Sequence, residues 1–392
     1  KYFFEVYVVV KKRILVFSGH YIPGYKGGGP IRSLENIFNQ LSEDIDFYLV
    51  TSNRDAGDKK PYKGINANTW TIVGKVSVFY IDGNYIKKSA FNEILEKVQP
   101  DTIYLNSLFS LSFGIYILWL LSISRFNRIR LLLAPRGELL PGALKVSKIK
   151  KFFFILITKH LKIYKNLQWH ASSELEFADI KKQYDNYREI YIASNLVNDT
   201  ELKSYNVVNL TKNKGEIRII FLSRITKKKN LDFAIKSLSN LNGDVIFDIY
   251  GPHEDQDYIK KCKKLVLNLP SNIIVSFKGD IMHDKISQLF VKYDVFYFPT
   301  KSENFGQVIW ESLSCGCPVL ISDQTPWNNI DSYNVGWVRS LSKMNNFSKV
   351  LQGIIDNNLE YQFNRQKIYN YALKFANNNK AIIANKKMFN NE

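Results

Sequence analysis

Two carboxylates, Glu303 and Glu311, are set apart by seven residues in the segment Glu303-Asn304-Phe305-Gly306-Gln307-Val308-Ile309-Trp310-Glu311. The run before it, Val295 to Pro299, reads as a buried strand, so Glu303 falls in the loop that follows. A helix is expected from Phe305 or Gly306 onward. Its first amides, including those of Gly306 and Gln307, have no partner within the helix and can face a phosphate or sugar hydroxyls. Glu311 lies further along, where a carboxylate can accept hydrogen bonds from both hydroxyls of a ribose. The same two acids also suit an ordinary capped amphipathic helix.

Two further loops carry compatible chemistry. In Phe221-Leu222-Ser223-Arg224-Ile225-Thr226-Lys227-Lys228-Lys229-Asn230, the side chains of Arg224 and Lys229 can clamp two phosphates from one side, one as a bidentate fork and the other as a movable point charge. A lysine run is otherwise a solvated face. The loop Gly24-Tyr25-Lys26-Gly27-Gly28-Gly29-Pro30 follows the first strand, and Gly28 and Gly29 let the backbone approach an anion at the next helix terminus. It fits neither the dinucleotide fingerprint nor the Walker pattern, and a plain flexible loop explains it as well.

The elements that must position these loops alternate. Strands are expected at Ile14–Phe17, Phe47–Val50, Val76–Tyr80, Thr102–Asn106 and Arg130–Ala134, with helical stretches between, including Ile31–Leu41. The pattern restarts with strands at Ile217–Leu222, Val245–Tyr250, Ile273–Phe277, Val295–Pro299 and Val319–Ser322, and a helix over Asn230–Leu241. Alternation of this kind predicts an α/β protein of two Rossmann-like, doubly wound parallel-sheet domains. The expected divisions are 1–208, 209–375 and a helical tail at 376–392 able to pack back on the first domain, with Asn206–Lys214 as linker. Ligands of such sheets bind beyond the carboxyl ends of the strands, so a shared cleft is the expected site.

Composition narrows the partners. The 392 residues carry 54 Lys and Arg against 36 Asp and Glu, a net charge of +18, which favours anionic ligands. No nucleic-acid-binding motif accompanies the charge, so nucleic acid is not expected as a partner. Three cysteines are too few for a disulfide framework and fit a reduced, cytoplasmic compartment. Tyr2–Val10 is apolar but lacks the cleavage site of a signal peptide. Leu108–Ile123 is too short and too interrupted by serine and glycine to span a bilayer, and is expected as a buried helix. Lysines crowd the stretch Lys145–Lys165 around the apolar run Phe152–Ile157. It reads equally as a membrane-surface helix, with an anionic bilayer as partner, or as a core helix with a solvated lysine face.

Taken together, these segments resemble the large family of retaining glycosyltransferases with the GT-B fold often called family four, or glycosyl transferases group 1. Its signature is embedded here in E-x-F-G-x-x-x-x-E, with Glu303, Phe305, Gly306 and Glu311, and Gln307 follows the glycine. Arg224 and Lys229 match the family's basic pair, with Ser223 and Asn230 in place of the usual glycines. Tyr250-Gly251-Pro252 resembles the turn beside the nucleotide base, Phe277-Lys278-Gly279-Asp280-Ile281 the next loop, and Gly27-Gly28-Gly29 the glycine-rich loop of the first domain. Ala134–Leu139 and Trp169–Ser173 resemble members that build bacterial surface polysaccharides.

The resemblance implies transfer of a sugar from a nucleotide-diphosphate sugar to a saccharide or lipid-linked saccharide, with retention of configuration. It implies Glu303 on the donor sugar, Glu311 on the ribose, and Arg224 and Lys229 on the diphosphate, with Gly28, Gly29, Gly251, Ile281, Phe305, Gly306 and Gln307 around the donor. His20, Glu138 and His170 are candidates for the acceptor side. No cofactor and no metal are expected: Asp44-Ile45-Asp46 is explained by a turn before a strand and Asp255-Gln256-Asp257 by a helix start. The competing readings are a nucleotide-sugar epimerase or hydrolase of the same fold and a nonenzymatic basic binding protein.

Overall fold

The computed structural model describes residues 11–392 except 84, 127, 146, 186, 198–212, 358, 360, 361, 363 and 378. The segment Tyr2–Val10, the expected boundary at 208/209 and most of the expected linker 206–214 lie outside the described residues. The chain divides into two compact units. One comprises the described residues of Lys1–Glu138, Ile149–Leu196 and Asn379–Glu392, the other those of Leu139–Lys148 and Val197–Asn378.

The first unit is built on β1 (Lys12–Phe17), β2 (Ile45–Ser52), β3 (Trp70–Val73), β4 (Val76–Ile81), β5 (Thr102–Leu105), β6 (Arg130–Leu133), β7 (Gln168–Ala171) and β8 (Glu189–Ile192). They form one eight-stranded sheet in the order β3-β4-β2-β1-β5-β6-β7-β8. Every pairing is parallel except β3 with β4, a hairpin turned at Gly74. The central strands read as continuous apolar runs because helices cover both faces, and Ile14 to Phe17 are fully buried. The last helix, Asn379–Asn390, belongs to this unit and places Met388 and Phe389 in its core. Arg130 fixes that docking by donating to the carbonyls of Met388 and Phe389 at 2.7 and 3.1 Å.

The second unit contains β9 (Glu216–Leu222), β10 (Asp244–Tyr250), β11 (Ile273–Gly279), β12 (Val295–Phe298), β13 (Val319–Ser322) and β14 (Gly336–Arg339). Their order is β11-β10-β9-β12-β13-β14, all parallel. Numbered from β9, this is 3-2-1-4-5-6, the doubly wound order whose direction reverses between the first and fourth strands. The helix expected at Asn230–Leu241 is shorter, Leu231–Ser237. The hydroxyls of Ser237 and Ser239 bond back to the carbonyls of Ala234 and Lys236 and offer the backbone an alternative to another helical turn.

Two apolar stretches differ from a simple core reading. Leu108–Ile123 forms a single π-turn, Leu111–Ile115, leading into the helix Tyr116–Ser122. Ile117, Leu120 and Leu121 are buried, but Leu111, Trp119 and Ile123 are exposed, so the segment is one-sided rather than buried. The helix Lys148–His160 has Thr158 as its single buried residue, which removes the core-helix reading. No helix among the described residues is long and apolar enough to cross a membrane.

Glu176 shows how a buried acid can serve the fold. It is 1% exposed and accepts hydrogen bonds from the amides of Gly137 and Ser172 and from the Ser172 hydroxyl, while Ser173 caps the helix from Glu174. It thereby ties the loops after β6 and β7 together. Glu176→Ala leaves those donors unpaired in the interior, and the expected loss is about 2–4 kcal/mol of unfolding free energy. Urea titration checks this, with Glu176→Gln retaining part of the lost stability.

Candidate active site of the second unit

At the carboxyl edge of the second sheet, four neighbouring strand ends carry residues singled out by sequence, and the loop after a fifth adds Gln324. Ser223 and Arg224 follow β9, Gly251 follows β10, Ile281 lies just beyond β11, Glu303 follows β12, and Gln324 follows β13. Parallel strands run in one direction, so all these loops emerge on one side.

Lys229 and Glu303 meet there. The Lys229 ammonium is ion-paired to Glu303 Oε1, with the two side chains only 13% and 11% exposed. Both are held from the backbone: the Lys229 amide donates to the Thr226 carbonyl at 2.9 Å, and the Glu303 amide to the Gln324 carbonyl at 2.9 Å. The ammonium also lies 5.2 Å from the centroid of the Phe298 ring. Asn230, in a left-handed conformation, donates its side-chain amide to the Pro299 carbonyl at 2.9 Å and locks the loop after β9 to that after β12. The pair therefore sits at the reversal of strand order, where open α/β sheets bind ligands.

Gly306 follows Glu303 in a left-handed conformation, φ 77°, and caps the helix Gln307–Ser314. A Cβ at that position would stand 2.8 Å from Ile309 Cδ1. The helix amides are thus left open beside Glu303, whose Cγ is 3.6 Å from the same point. Gln307 Oε1 is buried without a hydrogen-bond partner. Phe305 packs on Trp327 with centroids 5.5 Å apart, and its carbonyl accepts from Trp327 Nε1 at 2.6 Å, which anchors the turn. Gly251 is pressed against the neighbouring loop: at φ 131°, an added Cβ would meet the Ser223 carbonyl oxygen at 1.9 Å. Its amide donates to the Gly279 carbonyl at 2.9 Å, and the three loops after β9, β10 and β11 form one surface. Arg224 lies on that surface, 3.4 Å from Glu254.

Glu311 lies on the same helix, 8% exposed, with His283 Nε2 at 3.2 Å from its Oε1. A carboxylate only accepts, so that nitrogen carries the proton. His283 escapes a sequence reading because the two residues are 28 positions apart and no motif links them. Ile281 is partly buried against the core beside this loop.

The remaining candidates lie in the first unit. Gly28 caps the helix Gly29–Leu41, and the preceding loop is held by Asp55, which accepts from the amides of Tyr25 and Lys26 at 2.8 and 3.1 Å. Gly29 has nothing within 4 Å of its Cβ position. His20 is half-buried, with Nδ1 at 3.2 Å from the Arg54 carbonyl. Glu138 accepts from the Ser107 hydroxyl at 2.9 Å and the amides of Leu108 and Phe109 at 2.6 and 3.2 Å. Burial raises its pKa against the pull of those donors. These bonds are those of a loop tether.

His170 is buried in the first sheet. Its Nε2 faces the Ala193 carbonyl at 2.8 Å and must donate, so Nδ1 accepts from the Tyr104 hydroxyl at 2.7 Å. Tyr104 in turn accepts from Arg136, which also donates to Asn106 and Asn195 at 2.7 and 2.8 Å. Arg136, in a left-handed conformation, is the residue that sequence reading missed here. It gathers the loops after β5 and β6 with Asn195, and Asn106 reaches Ser18 after β1 at 3.4 Å. His170 thus belongs to the packing of the sheet edge, not to a surface that an acceptor could touch.

Among the described residues no group of three or more His, Cys, Asp or Glu side chains is placed to hold a metal ion. Asp44 pairs with Lys386 at 2.7 Å, Asp46 lies 3.9 Å from Lys11, and Asp255 caps the helix Gln256–Val266.

Residues 206–374 match the sequence profile described as Glycosyl transferases group 1. The matched residues fall within the second unit. Over the chain as a whole, the solved structure of sucrose-phosphate synthase from Thermosynechococcus elongatus is similar with a TM-score of 0.73 and 16% identity, covering 97% of this chain and 98% of that one. HepE from Anabaena in complex with UDP and glucose gives a TM-score of 0.65 at 14% identity, covering 96% and 98%. With the two sheets, this establishes the GT-B fold. By sequence, the GtfA subunit of a UDP-N-acetylglucosamine–peptide N-acetylglucosaminyltransferase from Streptococcus pneumoniae is 27% identical over 114 residues, 28% of this chain. The corresponding subunit from Streptococcus parasanguinis is 24% identical over 166 residues, 40% of this chain. The matched stretches span only 21% and 32% of those relatives' lengths.

The His170 environment makes stability depend on pH. Burial, aided by Arg136, lowers its pKa from 6.5 to about 3. The unfolded chain therefore binds a proton between those values while the folded chain does not, and stability falls as pH is lowered through that window. Between pH 7 and pH 5 this histidine is expected to remove about 2 kcal/mol of unfolding free energy, a loss absent from His170→Gln. Urea titrations of both proteins at the two pH values check it.

Proposed function

We propose that the protein is a retaining glycosyltransferase that moves a sugar from a nucleotide-diphosphate sugar to a saccharide or lipid-linked saccharide acceptor in the cytoplasm, in cell-surface polysaccharide assembly. The observation that carries the reading is the Lys229–Glu303 pair at the strand-order reversal of the second sheet. A cation and an acid placed together there, beside an open helix terminus, suit a ligand that has phosphate at one end and hydroxyls at the other. The matching family profile over the same unit supports it, as does the similar structure of HepE in complex with UDP and glucose.

In this mechanism the donor takes over both partners of the pair. Lys229 turns to the diphosphate with Arg224 and the amides at Gly306, and Glu303 is released to the sugar hydroxyls. Glu311 holds the ribose, and Gly251 and Ile281 border the base. As the bond from the anomeric carbon to the phosphate oxygen breaks, negative charge grows on the diphosphate, where the fixed cations and amides stabilise it. The acceptor oxygen bonds to the same face of the anomeric carbon, and its proton passes to the departing phosphate oxygen. No protein base and no metal are then required. Of the first unit's residues, Gly28 and Gly29 are candidates for the donor and His20 for the acceptor side.

Lys229→Met and Glu303→Gln are expected to lower transfer on the order of 10²- to 10³-fold while thermal melting shows them folded. Full activity in either protein would overturn the assignment. Labelled donor separates the alternatives: label attached to acceptor supports transfer, whereas only free or epimerised sugar supports the epimerase or hydrolase. Chelation by EDTA is expected to leave the rate unchanged, and loss restored by a divalent cation would overturn the metal-free step.

A further inference from the structure

The helix Lys148–His160 carries an apolar stripe that no described residue of its own unit covers. Ile149, Phe152, Phe153, Leu156 and Ile157 are spaced as one helical face, and with Leu161 just beyond they are 51–73% exposed. The opposite face is what attaches the helix. Phe154 packs edge-to-face on Phe109 at 5.0 Å, the Lys151 ammonium lies 5.0 Å from the same ring, and the Thr158 hydroxyl is 3.0 Å from that of Tyr184. The stripe is therefore the outer face of a well-anchored helix, not a frayed core element.

Its surroundings are cationic. No acidic residue occurs between Glu138 and Glu174, and Lys148, Lys150, Lys162 and Lys165 are all exposed around the stripe, as is Lys159, which lies 3.6 Å from Asp185. A second copy of the chain docked face to face would bring these lysines against their own counterparts. An acidic, fluid and apolar partner satisfies both features at once: aromatic and aliphatic side chains enter the acyl boundary while lysines meet anionic headgroups.

We propose that the helix Lys148–His160 lies in the plane of an anionic lipid bilayer and docks the first unit to it through Ile149, Phe152, Phe153, Leu156, Ile157 and Leu161. Its purpose, bringing a lipid-linked acceptor within reach, rests on the transferase reading; the binding itself does not. Each lysine near such a surface strengthens binding about fivefold, and the effect fades within a Debye length.

The test is co-sedimentation of the full chain with phosphatidylcholine vesicles containing about one third phosphatidylglycerol, against phosphatidylcholine alone, at low and high salt. Wild type is expected to sediment with the anionic vesicles at low salt and to be released by high salt or by omission of the anionic lipid. The variant F152S/F153S/L156S, all at exposed positions, is expected to lose at least about tenfold in partitioning. Lys150→Glu with Lys162→Glu should lose at least about twentyfold. An unchanged thermal melt shows that the variants remain folded. Wild type left in the supernatant with anionic vesicles, or variants that sediment like wild type, overturns the proposal. So does a dimer in light scattering that the triple variant abolishes without any vesicle binding. Because sedimentation needs no turnover, vesicle binding by a protein without transfer activity would sink the transferase reading alone, and active protein without vesicle binding would sink this surface alone.

Discussion

Everything in the second unit converges on one contact, the ion pair of Lys229 with Glu303, and that contact is a poor device for stability. Both side chains are nearly withdrawn from water, so each has surrendered most of its hydration. Attraction between them repays that loss only in part, and an apolar pair of similar volume would hold the two loops at least as well. The fold already closes this corner without them, through the Asn230–Pro299 and Glu303–Gln324 hydrogen bonds. What the charges add is a pair of opposite, partly dehydrated groups that can each exchange their partner for one end of a ligand. A ligand with phosphate and hydroxyls recovers for both the interactions they give up.

The two sheets treat the same topological position differently. In the second, the reversal between β9 and β12 presents a cation and an acid. In the first, the reversal between β1 and β5 is occupied by Asn106, which reaches Ser18 and accepts from Arg136. From there hydrogen bonds run in one direction, from Arg136 to Tyr104 to His170 to the Ala193 carbonyl. A chain in which every donor has one acceptor has no proton to spare, and a histidine at its end, kept neutral by burial, positions loops rather than moving protons. Charge is thus concentrated in the second unit's edge and rigidity in the first's.

Much of this was legible in the residues. Strands buried on both faces are continuous apolar runs, so β1, β9, β12 and β13 announce themselves, and each loop with chemistry follows one of them directly. Left-handed glycines such as Gly306 mark where a helix must start abruptly. Other features had no local signal. β3, β8 and β14 are short and only partly buried along their length, so none of them shows the continuous apolar run of a central strand. Lys229 and Glu303 are 74 residues apart, and Glu311 finds His283 across 28, separations no spacing rule predicts. Glu138 and His170 looked like available acid and base because sequence shows a residue type but not whether its hydrogen-bonding capacity is already spent.

The stretch Lys145–Lys165 shows the same limit from the other side. Composition made it both basic and apolar, and periodicity could not say which face was covered, because a helix apolar nearly all round fits a core as well as a surface. Tertiary contacts decide it: one face is used up by Phe109 and Tyr184, and the remainder of the apolar area stays in water. Soluble surfaces tolerate scattered apolar residues, but a contiguous stripe ringed by lysines carries a standing hydration cost that ordinary folding does not require. Exchange of serine for those side chains would remove that cost without touching the Phe109 and Tyr184 contacts, so the stripe has to be accounted for by something outside the unit's own core.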